Sequence, residues 1–210
     1  MKHNVYIYLF DKLETLSERF VENNIDKLPE FRRNRCVRYR RDADKRACII
    51  SYLLLQQGLN EKFGITEHVE FIYNDHAKPY LADYPYIFFN LSHCEKGIVC
   101  AVADFEIGID IQDIVPFDPA VAGVVCGSDE MRLLAASEDP ARLFCKLWTT
   151  KESYAKAQGL SVVNVLDVSP PESMVSHRDF AEYCVALCCR NFMADQIQIE
   201  WLYPAQIWRE

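Results

Sequence analysis

Apolar residues along this chain recur at two spacings, and the alternation between them lays out the expected elements. Asn4 to Phe10 is a short β-branched and aromatic run that predicts a strand. From Leu13 to about Leu28 the interval lengthens, so that Leu13, Leu16, Phe20 and Val21 share one helical stripe. A second helix is expected to open near Asp42 or Asp44, either of which can cap free backbone amides. It would run through Ile49, Ile50, Leu53 and Leu54 as far as Gly58 or Gly64. Val69 to Tyr73, Tyr86 to Leu91 and Gly97 to Ala103 are short runs punctuated by Asp, Pro and Gly, and read as antiparallel strands.

Ile107 to Ile111 predicts another strand after a turn at Asp104 to Glu106, and helices follow from Ser128 and from Asp139-Pro140. The second of these has an aspartate cap, proline at its first position and Gly159 where a C-terminal cap belongs. Pro170-Pro171 marks a loop, and the runs Glu182 to Cys188 and Gln196 to Leu202 are expected to close the chain as a hairpin. Strand, helices and terminal strands thus occur twice without a repeat in the sequence itself. An α+β fold is expected, its halves 1–104 and 105–210 packed as one unit.

Composition narrows the function classes. Half of the 210 residues are hydrophobic, enough for a substantial core, and the formal net charge of -8 argues against a nucleic-acid binder, which needs a basic surface field. No signal-type apolar segment and no run near the roughly 20 residues of a membrane span is visible, so a soluble, unexported protein is expected. The nine cysteines form no CxxC pair and fall largely in apolar stretches, which predicts buried free thiols in a reducing cytoplasm.

Against the acidic background, Arg32 to Arg46 holds eight basic residues in fifteen positions. Such a run serves either as a solvated helix entrance or as an anion dock, and Arg46, expected in the first helical turn, favours the dock because unpaired amides there attract phosphate. Lys78 precedes Pro79, which holds it on extended backbone. Asn90-Leu91-Ser92-His93 ends a strand with a hydroxyl and an imidazole, both able to bond phosphate oxygens. A serine-histidine hydrolase pair is a poor reading, since neighbours on a strand face opposite ways and no G-x-S-x-G elbow exists. In Gly108-Ile109-Asp110-Ile111-Gln112 the oxygen-bearing Asp110 and Gln112 share one strand face. Trp148, Glu152 and Lys156 line one helix side at intervals of four; Glu152 and Lys156 alone would pass for a surface salt bridge.

In order and spacing, Lys78-Pro79, Phe89 to His93, Gly108 to Ile111 and Trp148 to Lys156 together resemble the phosphopantetheinyl transferases of the surfactin-synthetase-activating type. The resemblance covers nearly the whole chain and implies a monomer of two similar α/β halves in pseudo-twofold arrangement, with coenzyme A and Mg2+ in the cleft between them. It also implies roles. Arg46 and His93 would contact the 3′-phosphate end, Lys78, Pro79 and Ser92 would hold nucleotide or phosphate groups, and Lys156 would pair with the pyrophosphate. Asp110 and Glu152 would hold the metal, and Glu152 would take the proton of a carrier-protein serine as it attacks phosphorus and 3′,5′-ADP departs. Members commonly carry a second acid two residues after the aspartate; Gln112 stands there and is a weaker ligand for Mg2+, which needs only one or two carboxylates. A catalytically silent coenzyme A or carrier-binding module is the competing expectation, and the carrier, whether of fatty-acid, polyketide or nonribosomal peptide synthesis, stays open.

Overall fold

The computed structural model describes residues 3–191 and 193–204. Its strands are β1 (His3–Phe10), β2 (Phe71–Tyr73), β3 (Pro79–Leu81), β4 (Phe88–His93), β5 (Ile98–Ala103), β6 (Ile107–Asp113), β7 (Val175–Asp179), β8 (Tyr183–Cys189) and β9 (Ile197–Leu202). Its helices are α1 (Phe20–Asn24), α2 (Glu30–Cys36), α3 (Asp42–Phe63), α4 (Pro119–Val125), α5 (Ser128–Ala136) and α6 (Pro140–Gln158). One sheet has the order β4-β5-β1-β9, a second has β6-β8-β7, and β2 and β3 form a separate ribbon.

Alternation within the strands stacks these parts into four layers, α3, first sheet, second sheet and α6. Tyr8 and Phe10 of β1, with Cys100 and Val102 of β5, face Ile49, Ile50, Leu54, Leu55 and Leu59 of α3. Their neighbours Val5, Ile7, Leu9, Val99 and Ala101 face the other way, against Ile107, Ile109, Ile111, Val185 and Leu187 of the second sheet. A sheet buried on both faces needs nearly continuous apolar strands, which β1 and β5 supply. The outer face of the second sheet meets α6 through Ala157, Ala186 and Cys188. The α+β class is as expected.

Local departures have physical causes. The stripe from Leu13 to Leu28 does pack on α3, through Phe20 with Leu13, Leu16, Val21 and Ile25. It is broken, however, into 3-10 turns at Leu13–Thr15 and Ile25–Lys27 around the short α1, where the Asn24 side chain bonds back to the Phe20 carbonyl. Neither Asp42 nor Asp44 caps α3: Arg41 stands at its N-cap with no side-chain bond, and both acids lie inside the first turn, placing Arg46 just beyond it. The helix passes through Gly58, where a Cβ would come within 2.9 Å of the Tyr8 ring, and stops at Gly64, whose φ of 71° suits glycine. Asp139 and Pro140 open α6 and Gly159 ends it, as predicted.

The expected closing hairpin does not form. β8 is the central strand of the second sheet, between β6 and β7, whereas β9 crosses back to run parallel with β1 at the edge of the first. Both runs are strands, but Val175–Asp179, too polar to read as one, takes the place beside β8.

Candidate active site

Gly108 brings the two elements of the site together. A Cβ there would stand 2.1 Å from the Ser153 carbonyl oxygen and 2.3 Å from the Ala157 nitrogen, so only glycine lets β6 lie this close against α6. Two residues on, Asp110 is wholly buried beneath the helix face that carries Glu152 and Lys156. Ile109 and Ile111 point into the core, which leaves Asp110 and Gln112 on the shared face expected of them.

β4 and β6 are edge strands of different sheets, and side chains take the place of a ladder between them. Asn90 Oδ1 accepts from the Ile109 amide at 2.9 Å and Ser92 Oγ from the Ile111 amide at 3.4 Å. Buried edge amides are thereby satisfied and Asp110, lying between them, is fixed. Ser92 donates to Asp110 Oδ1 at 2.7 Å, and Gln112 Nε2 donates to Oδ2 at 3.1 Å. Lys156 Nζ reaches Asp110 Oδ1 at 2.5 Å, Ser92 Oγ at 3.2 Å and the Ile109 carbonyl at 3.4 Å, with Glu152 Oε2 at 3.9 Å. The ammonium thus pairs chiefly with a carboxylate on the facing strand, and the i,i+4 contact with Glu152 is the longer one.

Charge and burial set the protonation of the cluster. Burial pushes the Glu152 carboxyl above its usual range, with Lys156 opposing and Asp110 adding to the rise. Burial, reinforced by Lys156, pulls the His93 imidazole below its usual range. His93 turns away from Ser92, as alternation requires, and stands where two cavities meet.

The larger cavity, about 550 Å3, is bordered by Arg46, His93, Glu95, Gln112 and Asp113. The smaller, about 280 Å3, has Arg32, Arg35, Tyr39, Tyr73, Pro79 and His93 along its walls. Arg32 is 5% exposed and has no carboxylate partner among the described residues. It donates to the Cys48 carbonyl at 3.0 Å and packs on the rings of Tyr52 and Phe71, while its Nε has no partner among the described residues. A buried guanidinium left so is suited to an incoming anion. Arg46, whose Nε is also without a partner among the described residues, offers a second such group in the neighbouring cavity.

The fold therefore brings together Asp110, Gln112, Glu152, Lys156, Ser92 and His93, with Arg46 and Pro79 on the adjoining cavity walls. Lys78 does not join them; its ammonium is turned to Glu106. Arg32, Arg35 and Tyr73 were not singled out from sequence; the basic run was the one available signal for the two arginines. No group of three His, Cys, Asp or Glu side chains able to hold a metal occurs among the described residues. Asp110 and Glu152, sharing one ammonium, still fit a hard cation such as Mg2+, which takes one or two carboxylates and fills its shell with water and phosphate.

Comparison with known proteins bears on this arrangement. The family model described as the 4′-phosphopantetheinyl transferase superfamily matches residues 106–201, the stretch that holds β6, α6 and β8. The chain is similar to the 4′-phosphopantetheinyl transferase psf-1 of Bacillus pumilus, 29% identical over 158 residues, covering 72% of this chain and 68% of that protein. It is 32% identical over 143 residues to the 4′-phosphopantetheinyl transferase gsp of Aneurinibacillus migulanus, covering 67% of this chain and 58% of gsp. With the 4′-phosphopantetheinyl transferase Sfp of Bacillus subtilis (strain 168) it shares 26% over 155 residues, covering 72% of this chain and 69% of Sfp. The family-model match runs through the strand and helix that bury Asp110 under Glu152 and Lys156, and these relatives align over 67 to 72% of this chain, so the chain is similar to the 4′-phosphopantetheinyl transferases.

Proposed function

We propose that this protein transfers the 4′-phosphopantetheine group of coenzyme A to a serine of an apo acyl or peptidyl carrier protein. The observation that carries the reading is the Asp110-Ser92-Lys156 cluster, with Glu152 beside it, set next to two cavities that each hold an unsatisfied arginine nitrogen. Coenzyme A presents a 3′-phosphate and a diphosphate, and so calls for two separate donor-rich places. The 3′-phosphate end is met where His93 stands between Arg46 on one side and Arg32 and Arg35 on the other. Lys156 turns its ammonium from Asp110 to the diphosphate. Asp110 and Glu152 would hold a Mg2+ ion, with Gln112 beside them, and when bound that ion supplies neutralisation of diphosphate charge.

Glu152 accepts the proton of the carrier serine, directly or through water. The serine oxygen then bonds to the phosphorus nearer the pantetheine as the bond to the departing 3′,5′-ADP breaks, with Lys156 balancing charge on the leaving group. The protein works as a monomer in the cytoplasm, where nine free thiols suit a reducing medium. No helix among the described residues is long and apolar enough to cross a membrane.

The test is intact-mass measurement of several apo carrier proteins after incubation with the protein, coenzyme A and Mg2+. A gain of one phosphopantetheine per carrier is expected. Tight coenzyme A binding with no mass gain on any carrier would instead support the silent binding module that Gln112 suggests.

A further inference from the structure

Lys78 is an expected coenzyme A ligand whose ammonium the fold turns out of the candidate site, to Glu106. Its neighbours Ala77 and Pro79 line the smaller cavity, and its own side chain turns away from it to Glu106. There Nζ lies 2.5 Å from Glu106 Oε2, 3.3 Å from the Ile107 carbonyl and 3.5 Å from the Ala157 carbonyl. The two charged side chains are only 5% and 17% exposed. Three acceptors match the three protons of an ammonium, leaving none for a ligand. Tyr80 donates its hydroxyl to the other oxygen of Glu106 at 3.2 Å, and Asn74 Nδ2 donates to the Gly159 carbonyl at 2.9 Å. The ribbon of β2 and β3 is thus fastened to the start of β6 and to the end of α6.

The fastened ribbon forms a wall of the cavity, through Tyr73, Ala77 and Pro79, and Arg32 and Arg35 also line it. With three residues in each strand, such a ribbon is marginal on its own. Ala77 sits at φ 61°, a left-handed conformation that a residue with a Cβ keeps only when its surroundings hold it. The last turns of α6, which receive the latch at Ala157, also carry Lys156. We propose that Lys78 and Glu106 form a positioning ion pair that holds the nucleotide-side wall of the coenzyme A cavity against the catalytic helix, and that Lys78 does not itself bind phosphate. This rests on the reading of that cavity as the nucleotide site.

The two roles differ in sign. A phosphate-binding lysine would gain from losing its internal carboxylate partner, so Glu106→Gln would tighten coenzyme A; a latch loosened by the same change weakens it. Calorimetric titration with coenzyme A and with 3′-dephospho-coenzyme A separates them. Glu106→Gln and Lys78→Met are each expected to weaken both ligands by the same factor, on the order of tenfold, as supporting residues behind a ligand site do. Tighter binding in Glu106→Gln, or a loss in Lys78→Met that is larger for coenzyme A than for the dephospho form, overturns the proposal. Should Lys78→Met fail to fold, Tyr80→Phe carries the test. It removes one bond to Glu106 and is expected to weaken both ligands equally, by about two- to tenfold; unchanged affinity overturns the latch. A wild-type protein that binds neither ligand removes the coenzyme A reading of the cavity, and the latch's role in it as well.

Discussion

Gln112 shares a strand face with Asp110 and spends its amide nitrogen on an Asp110 oxygen. A carboxylate at the same place would withdraw that donor and add a charge. Gln112→Glu is therefore expected to lower the Mg2+ concentration for half-maximal transfer, and Gln112→Ala to change it little, because water can replace a neutral ligand. Initial transfer rates across Mg2+ concentrations decide this, and an Asp110→Ala enzyme with wild-type metal dependence would remove the whole assignment. His93 gives a pH signature. Its folded pKa lies below the ordinary value of about 6.5, so its contribution to stability is complete above that value and is lost as pH falls through it toward the lowered one. His93→Gln should flatten this part of the stability curve. A bound 3′-phosphate would reverse the shift, so coenzyme A binding near that pH should take up protons, read as a dependence of binding heat on the buffer's ionisation heat; no dependence would take His93 off the phosphate. Strand alternation made the shared face of Asp110 and Gln112 legible in the sequence. The partner of Lys156 was not: four-residue spacing pointed to Glu152, and the closer carboxylate comes from a facing strand.

At the scale of elements, β6 and α6 carry Asp110, Gln112, Glu152 and Lys156, and Gly108 is a point of close contact between them. Gly108→Ala sets a methyl against helix backbone that cannot yield as a flexible side chain would. We expect a loss of about 1–3 kcal/mol or more in urea unfolding, together with reduced transfer as Asp110 shifts from under Lys156. A variant as stable and active as wild type would show that the two elements can part without harm. The ends of α6 were readable because an aspartate cap, a first-position proline and a terminal glycine act locally. Asp118-Pro119 gives the same opening signal for α4, with the Asp118 side chain accepting from the Ala120 amide at 2.8 Å, but that helix is only seven residues long and was not predicted. The opening of α3 misled for the opposite reason, since two acids in a first turn read as caps although the chain enters one residue earlier.

For the whole molecule, β9 decides which sheet the late part of the chain completes. It pairs in parallel with six residues of β1, from His3 to Tyr8, and so ties a late segment to the first strand. Ending the chain after Arg190 should expose that edge of β1 and lower the urea midpoint, with association at high concentration as bare strand edges pair; an unchanged midpoint and a monodisperse sample would show β9 to be dispensable. The sequence by itself determined the α+β class, most of the long elements, and the strand and helix faces that bear Asp110, Gln112, Glu152 and Lys156. These are local properties, set by periodicity, capping and charge within a few residues. Only the tertiary structure decided that β8 and β9 enter different sheets, that Asn90 and Ser92 stand in for a ladder to β6, that Arg32 is buried with no carboxylate partner among the described residues, and that Lys78 faces Glu106. Each depends on which distant backbone lies opposite, and a pattern of apolar and polar residues says that a face is buried without saying what covers it.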